Sequence, residues 1–213
     1  MRITIVYDNE VYTAGLRSGW GFAAMVEEEG AAPILFDTGA DSATLLHNMK
    51  SLDMDPGRIG VIVISHAHAD HMGGLRGVLE VNATAELYLP QSPLGERGRS
   101  VTVVGRHPIE IRNGVFSTGV LDGIEQALAL RTEGGVFVLT GCSHPDMRKI
   151  LGAAARFGKP RGIAGGFHGF HDFKAFDELE TIYPCHCTMF RQELAQLFKD
   201  RVYQCGVGRV IDL

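Results

Sequence analysis

Short apolar runs bounded by Gly, Pro, Asp or Asn recur along the chain, and they predict a strand-rich protein with few helices. The β-branched runs at residues 2–7, 22–28, 33–36, 60–65, 85–89, 101–104, 115–118, 126–131, 136–140, 162–164, 181–183 and 202–205 read as strands. Helical spacing occurs in four places. Asp41 can cap a helix running to about Leu52, with Leu45, Leu46 and Met49 on one face. Residues 147–157 follow Pro145 and end at Gly158, and residues 172–179 and 189–198 are amphipathic. Some strands follow one another as hairpins, and others alternate with helices. Two sheets packed face to face with helices outside them accommodate both patterns, so the expected fold class is α/β, a four-layer αββα sandwich.

Composition narrows the picture only a little. A chain of 213 residues is expected to form a single domain over residues 1–213. With 45% hydrophobic and 21% charged residues it does not resemble disordered, collagen-like or coiled-coil chains. Twenty Lys+Arg against 25 Asp+Glu leave a formal charge of −5, which lacks the basic footprint of a nucleic-acid or anionic-membrane binder. The longest apolar runs, such as residues 59–64, fall short of the ~18 residues of a membrane helix. Residues 1–8 are too short for a signal-peptide core and read as an edge strand, so a cytoplasmic location is expected. All four cysteines (Cys142, Cys185, Cys187, Cys205) lie in the last third, which does not look like a disulfide framework; reduced thiols are expected.

The chemistry concentrates in Ser65-His66-Ala67-His68-Ala69-Asp70-His71-Met72-Gly73-Gly74, which follows an apolar strand. Three imidazoles and a carboxylate within six residues are costly to pack unless a cation orders them. His66 and His68 alternate to one side and can share one cation; Asp70 and His71 can reach a second. Imidazole and carboxylate suit Zn²⁺ first, with Mn²⁺, Fe and Ni²⁺ as the other candidates. Two further apolar strands end in a histidine, at His144 and at His186, and strand exits on one sheet edge converge. The expected ligand set is therefore His66, His68 and His144 for one divalent ion and Asp70, His71 and His186 for the other. Cys142 either bridges the ions or is a small buried residue. Cys185 and Cys187 flank His186, and alternation would turn both away from it into the core. His168, after Gly165-Gly166, is a candidate to contact substrate or donate a proton; metal and structural roles stay open. His47, His107 and His171 read as surface or supporting residues. Asp37, at a strand end in Leu35-Phe-Asp-Thr-Gly39, either hydrogen-bonds a ligand histidine or forms a turn. A lone Asp-Thr-Gly does not make an aspartic protease, which needs two carboxylates.

His66-x-His68-x-Asp70-His71 after a strand resembles the signature of the metallo-β-lactamase-fold superfamily. The resemblance implies an αββα sandwich with two metals at a sheet edge. More narrowly, the chain resembles the 7,8-dihydropterin-6-yl-methyl-4-(β-D-ribofuranosyl)aminobenzene-5′-phosphate synthase-like subgroup. The matching pieces are Leu35–Gly39, Ser65–Leu75, Glu125–Leu128, Thr140-Gly-Cys-Ser-His144, Gly165-Gly-Phe-His168 and His186-Cys-Thr188. The chain departs from that subgroup by its shorter stretches between His71 and Glu125 and after His168, and by Ser18-Gly-Trp-Gly-Phe22 where a His-Gly-aromatic motif is expected. Two cations held mainly by neutral histidines lower the pKa of a water from 15.7 to ~7 and draw charge from the attacked oxygen. The expected function is metal-dependent hydrolysis of a small phosphorylated molecule, a phosphodiester or cyclic phosphate, with Asp70 and His168 as catalytic residues. The alternative is transfer of a dihydropterin from its diphosphate to a ribofuranosylaminobenzene phosphate. A metal-dependent sensor without turnover is the third reading.

Overall fold

The computed structural model describes residues 1–90 and 100–213. Their contacts divide them into two compact units, residues 1–104 with 206–213, and residues 105–205.

The first unit holds β1 (Arg2–Tyr7), β2 (Ala23–Glu27), β3 (Ile34–Phe36), α1 (Ser42–Ser51), β4 (Val61–Val63), α2 (Ala69–Met72), α3 (Leu75–Val81), β5 (Glu86–Leu89), β6 (Val101–Val103) and, from the far end of the chain, β13 (Val210–Asp212). The sheet order is β13-β1-β2-β3-β4-β5-β6. Strands β3 to β6 pair in parallel, with Phe36 opposite Val63, so their exits share one edge. Asp41 caps α1 as expected, its carboxylate accepting from Thr44 N at 2.8 Å. Leu45 and Met49 of α1 join Ile62, Val78 and Leu87 in a fully buried core. At ~25 cal/mol per Å² of apolar surface, burying each such side chain contributes about 1.5–3 kcal/mol.

The second unit holds β7 (Ile109–Arg112), β8 (Val115–Ser117), β9 (Leu128–Thr132), β10 (Gly135–Thr140), α4 (Met147–Ala154), β11 (Pro160–Gly166), β12 (Thr181–Cys185) and α5 (Arg191–Leu197). Its sheet order is β12-β11-β10-β9-β8-β7. Strands β7 to β10 form antiparallel hairpins, whereas β10, β11 and β12 are parallel, joined by α4 and then by a 3₁₀ turn. That switch sends the exits of β10, β11 and β12 to one edge. Met147, Ile150 and Ala154 of α4 pack with Val138, Ile163, Phe176 and Ile182 as the core.

Three expectations change. Residues 172–179 form only a 3₁₀ turn, Phe173–Phe176, because Phe176 is drawn into a ring cluster with Phe167, Phe170 and Phe198. Residues 202–205 make one isolated bridge, Val202 to Ile182, rather than a strand. The cysteines are not all reduced: Cys185 at the end of β12 is disulfide-bonded to Cys205. Among the described residues no helix is long and apolar enough to cross a membrane.

Candidate metal centre

In the first unit the site is built where β3 and β4 leave the sheet side by side. Asp37 follows β3 in the left-handed region (φ 57°) and is wholly buried. Its backbone N–H donates to Val63 O at 2.8 Å, which fixes it beside the exit of β4. Ser65 N donates to Asp37 Oδ1 at 2.7 Å, and Ser65 Oγ donates to Asp37 Oδ2 at 2.7 Å. His71 Nδ1 lies 2.7 Å from the same Oδ2.

These bonds assign the histidine tautomers. The carboxylate oxygen can only accept, so His71 Nδ1 carries the proton and Nε2 holds the lone pair. The single Ser65 hydroxyl proton is committed to Asp37. Ser65 Oγ, 2.9 Å from His66 Nδ1, therefore accepts from that nitrogen, and Nε2 of His66 is again the lone-pair atom. One buried carboxylate thus sets both rings, His71 directly and His66 through Ser65. Burial, the dominant effect, pushes the Asp37 carboxyl up; His71 and the Ser65 donors lower it but do not cancel that rise. Asp37 therefore hydrogen-bonds the histidines of the motif, His71 directly and His66 through Ser65, and does more than form a turn.

The lone-pair nitrogens face a common space. His66 Nε2 lies 3.0 Å from His68 Nδ1, the rings of His66 and His71 are 4.2 Å apart, and His71 Nε2 is 4.0 Å from Asp70 Oδ2. His68 precedes α2 as its N-cap residue, so Asp70 and His71 sit in the first turn of that helix. Thr38 N and Thr38 Oγ1 both donate to His71 O, at 2.7 and 3.0 Å, and clamp the turn against the β3 exit. Trp20 Nε1 donates to Asp70 Oδ2 at 3.1 Å and fixes the rotation of that carboxylate. Nothing in the local sequence around Trp20 signals this contact. Gly21, next to it, is obligatory, since a Cβ there would collide with Asp70 O.

In the second unit the exits of β10, β11 and β12 bring His144, His168 and His186 to one edge, as the sequence implied. Donor atoms of Cys142, His144 and His168 all lie within 4.8 Å of one another, and so do those of Cys142, His186 and Cys187. The rings of His144 and His168 are 4.9 Å apart. Ser143, His168 and His186 all have left-handed backbones, at φ 61°, 46° and 45°. Non-glycine residues held there cost about 1–3 kcal/mol each and cluster at functional sites.

The β10 exit is folded around Glu125. Glu125 Oε1 accepts from Thr140 Oγ1, Gly141 N, Cys142 N and Ser143 N at 3.0–3.1 Å, and Oε2 accepts from His144 N at 2.9 Å. Four successive backbone N–H groups closing on one buried carboxylate form an anion nest, here filled by the protein's own side chain. The sequence placed Glu125 only inside a family motif; its function as the template of the ligand loop comes from a residue 15 to 19 positions away. The alternation expected for Cys187 also fails. The left-handed turn at His186 breaks the extended backbone, so Cys187 points to the same side as His186, its Sγ 3.3 Å from Cys142 Sγ. His171 lies exposed at the surface, its Nδ1 3.1 Å from Gly169 O and its ring edge-on to Phe190.

The donors fit divalent metals. In each unit imidazole nitrogens converge, joined by a carboxylate in the first and by thiols in the second, and in the first unit their lone pairs are pre-set by Asp37. Residues 21–93 match the model of the metallo-β-lactamase superfamily. A solved structure, Tm1679, a metal-dependent hydrolase of the β-lactamase superfamily, is 28% identical with a TM-score of 0.81, covering 100% of this chain and 99% of that one. Residues 21–93 thus carry the match to the metallo-β-lactamase superfamily, and the whole chain is similar to its members in fold. Its fold is the expected α/β fold of that superfamily, also seen at a TM-score of 0.70 in Zn²⁺-bound PqqB of Methylobacterium extorquens, 12% identical over 100% of each chain. Superfamily members are typically metal-dependent. A 7,8-dihydropterin-6-methyl-4-(β-D-ribofuranosyl)-aminobenzene-5′-phosphate synthase of Methanocaldococcus jannaschii is 26% identical over 98% of this chain and 95% of its own length. That alignment runs over 278 positions against a chain of 213, so parts of the synthase have no counterpart here.

Proposed function

We propose that this protein is a metal-dependent hydrolase acting on a small phosphoester, a phosphodiester or cyclic phosphate. The observation that carries the reading is the buried Asp37, which presents Nε2 of both His66 and His71 as ready ligand atoms. In this reading residues 1–213 work as one domain. His66, His68 and His144 would hold one divalent ion, Zn²⁺ before Mn²⁺, Fe or Ni²⁺, and Asp70, His71 and His186 the other. When bound, such ions polarise the attacked ester and bring the pKa of a water to ~7. A ligand set with one carboxylate and five neutral imidazoles leaves net positive charge, which supports an anionic substrate such as a phosphate ester.

The chain's own residues supply the rest. Asp70, its rotation fixed by Trp20, would orient the attacking water through its carboxylate. His168 is exposed at the β11 exit, with its ring beside His144, and would donate a proton to the leaving oxygen or bind a phosphate oxygen. Its left-handed backbone holds the ring in place before substrate arrives.

A direct test is cleavage of bis-(p-nitrophenyl) phosphate by protein reconstituted with metal, alongside elemental analysis. Close to two metal equivalents are expected, and His66→Ala or Asp70→Ala should abolish cleavage. Full activity in either variant would place the chemistry elsewhere. The likeness to the Methanocaldococcus jannaschii synthase favours one second reading, transfer of a dihydropterin from its diphosphate to a ribofuranosylaminobenzene phosphate. Incubation with both substrates and detection of the coupled product decides between them.

A further inference from the structure

The second unit carries two thiols that the hydrolase reading does not use. We propose that Cys142 and Cys187 are sulfur ligands of the cation that His186 holds, so that this ion sits in a mixed nitrogen–sulfur environment. The inference rests on the reading of His186 as a ligand and adds to it the type of metal the site prefers.

Three observations converge. First, the Sγ atoms of Cys142 and Cys187 and a ring nitrogen of His186 lie within 4.8 Å of one another, a spread that ligands at Zn–S ~2.3 Å and Zn–N ~2.0–2.1 Å can share around one ion. Second, both thiols are brought there by special backbone. Cys142 stands in the loop that Glu125 gathers, next to left-handed Ser143; Cys187 follows left-handed His186. An ordinary extended exit from β12 would have turned Cys187 away. Third, space is reserved for the sulfur. A Cβ on Gly166 would come within 2.6 Å of Cys187 Sγ, so the last residue of β11 must be glycine for the thiol to lie where it does. Thr188 Oγ1 donates to Cys185 O at 2.7 Å and accepts from Phe167 N at 3.0 Å, which ties the Cys187 turn to the β11 exit. A cysteine that merely filled the core would need none of this, and Cys187 is only half-buried.

Each thiol would give up its proton on ligation, leaving thiolates next to the ion. Thiolates are soft ligands, so the site should prefer Zn²⁺, Co²⁺ or Fe²⁺ and disfavour Mg²⁺ and Mn²⁺.

Cobalt substitution of the intact chain tests this without relying on turnover. The Co²⁺-loaded protein should show a sulfur-to-cobalt charge-transfer band in the near ultraviolet. Cys142→Ser and Cys187→Ser should each lower that band by about half, and the double variant should abolish it while d–d bands from histidine-bound cobalt persist. Wild-type protein should also show two thiols that react with a thiol reagent when metal-free and are protected when loaded, a readout that needs no variant to fold. Cobalt d–d bands without a charge-transfer band, or thiols equally reactive in both states, would overturn the proposal and leave the histidine site standing. A charge-transfer band in protein that cleaves no phosphoester would instead sustain sulfur ligation and remove the hydrolase reading.

Discussion

Both units use a buried carboxylate to organise a strand exit that carries candidate ligands, but they do it differently. In the first unit Asp37 grips side chains: two of its three hydrogen bonds run, directly or through Ser65 Oγ, to the rings of His71 and His66. In the second unit Glu125 grips backbone: four of its five donors are the N–H groups of residues 141–144. Asp37 therefore sets which nitrogen of each ring carries a lone pair, whereas Glu125 gathers the backbone of the loop itself. A closely spaced motif such as His66 to His71 already has its geometry from the α2 turn and needs only its tautomers set. A candidate ligand such as His144, alone at the end of a six-residue strand, needs its backbone built first.

The contrast can be broken experimentally. The largest effect is expected from Glu125→Gln, which puts an amide donor against backbone donors that are buried. At about 1–3 kcal/mol for each unsatisfied buried group, a loss of roughly 3 kcal/mol or more is expected. Denaturant unfolding should show it with or without metal; an unchanged midpoint would mean that the loop does not depend on Glu125. Asp37→Asn should act mainly on ligation. It lets Nδ1 of His71 meet an amide that cannot reproduce the carboxylate, and metal affinity should fall by about 10–100-fold. Isothermal titration with Zn²⁺ reads this, and an equal loss of affinity in both variants would erase the distinction drawn here.

The smallest effect calibrates the other two. Asp41 is an exposed version of the same device, a carboxylate accepting Thr44 N at the start of α1 and the Tyr7 hydroxyl at 2.8 Å. Burial tends to raise its pKa, but the hydrogen bonds from Thr44 and Tyr7 outweigh it and hold the carboxyl below its usual 3.8. A depressed value in the folded state means stability that is present above the ordinary Asp range and lost as the pH falls below it. Asp41→Ala should cost about 1 kcal/mol at neutral pH. The difference from wild type should shrink in unfolding experiments carried out progressively below pH 4; a constant difference would refute the assignment.

Much of this was legible in the sequence because it is local. The His66–His71 motif fixes its own geometry, and long β-branched runs such as residues 2–7 and 136–140 could hardly be anything but strands. What escaped depends on distant partners. The helix expected after Gly73-Gly74 had no readable extent, because Gly77 weakens its local signal; Gly77 is there because Ser42 of α1 lies against it. Strand β13 is three residues long with Val210 exposed, so only its pairing with β1 defines it. The expectation for Cys187 assumed regular alternation, and the positive φ at His186 defeats it without any glycine to announce the turn. Glu125 stood inside a family motif, but nothing local showed that it gathers the loop of residues 140–144.

The first unit is discontinuous in the chain, and this bears on synthesis. Residues 105–205 form their sheet from one unbroken segment, so all six strands are available as soon as that segment has emerged. The other sheet keeps β1 as an open edge until β13 is made, because Arg2 pairs with Asp212 and Thr4 with Val210. During translation the earliest strand thus waits for the latest, with its hydrogen-bonding groups exposed to neighbouring nascent chains. Arg2, charged and outward at that edge, is well placed to discourage such encounters until its partner Asp212 arrives.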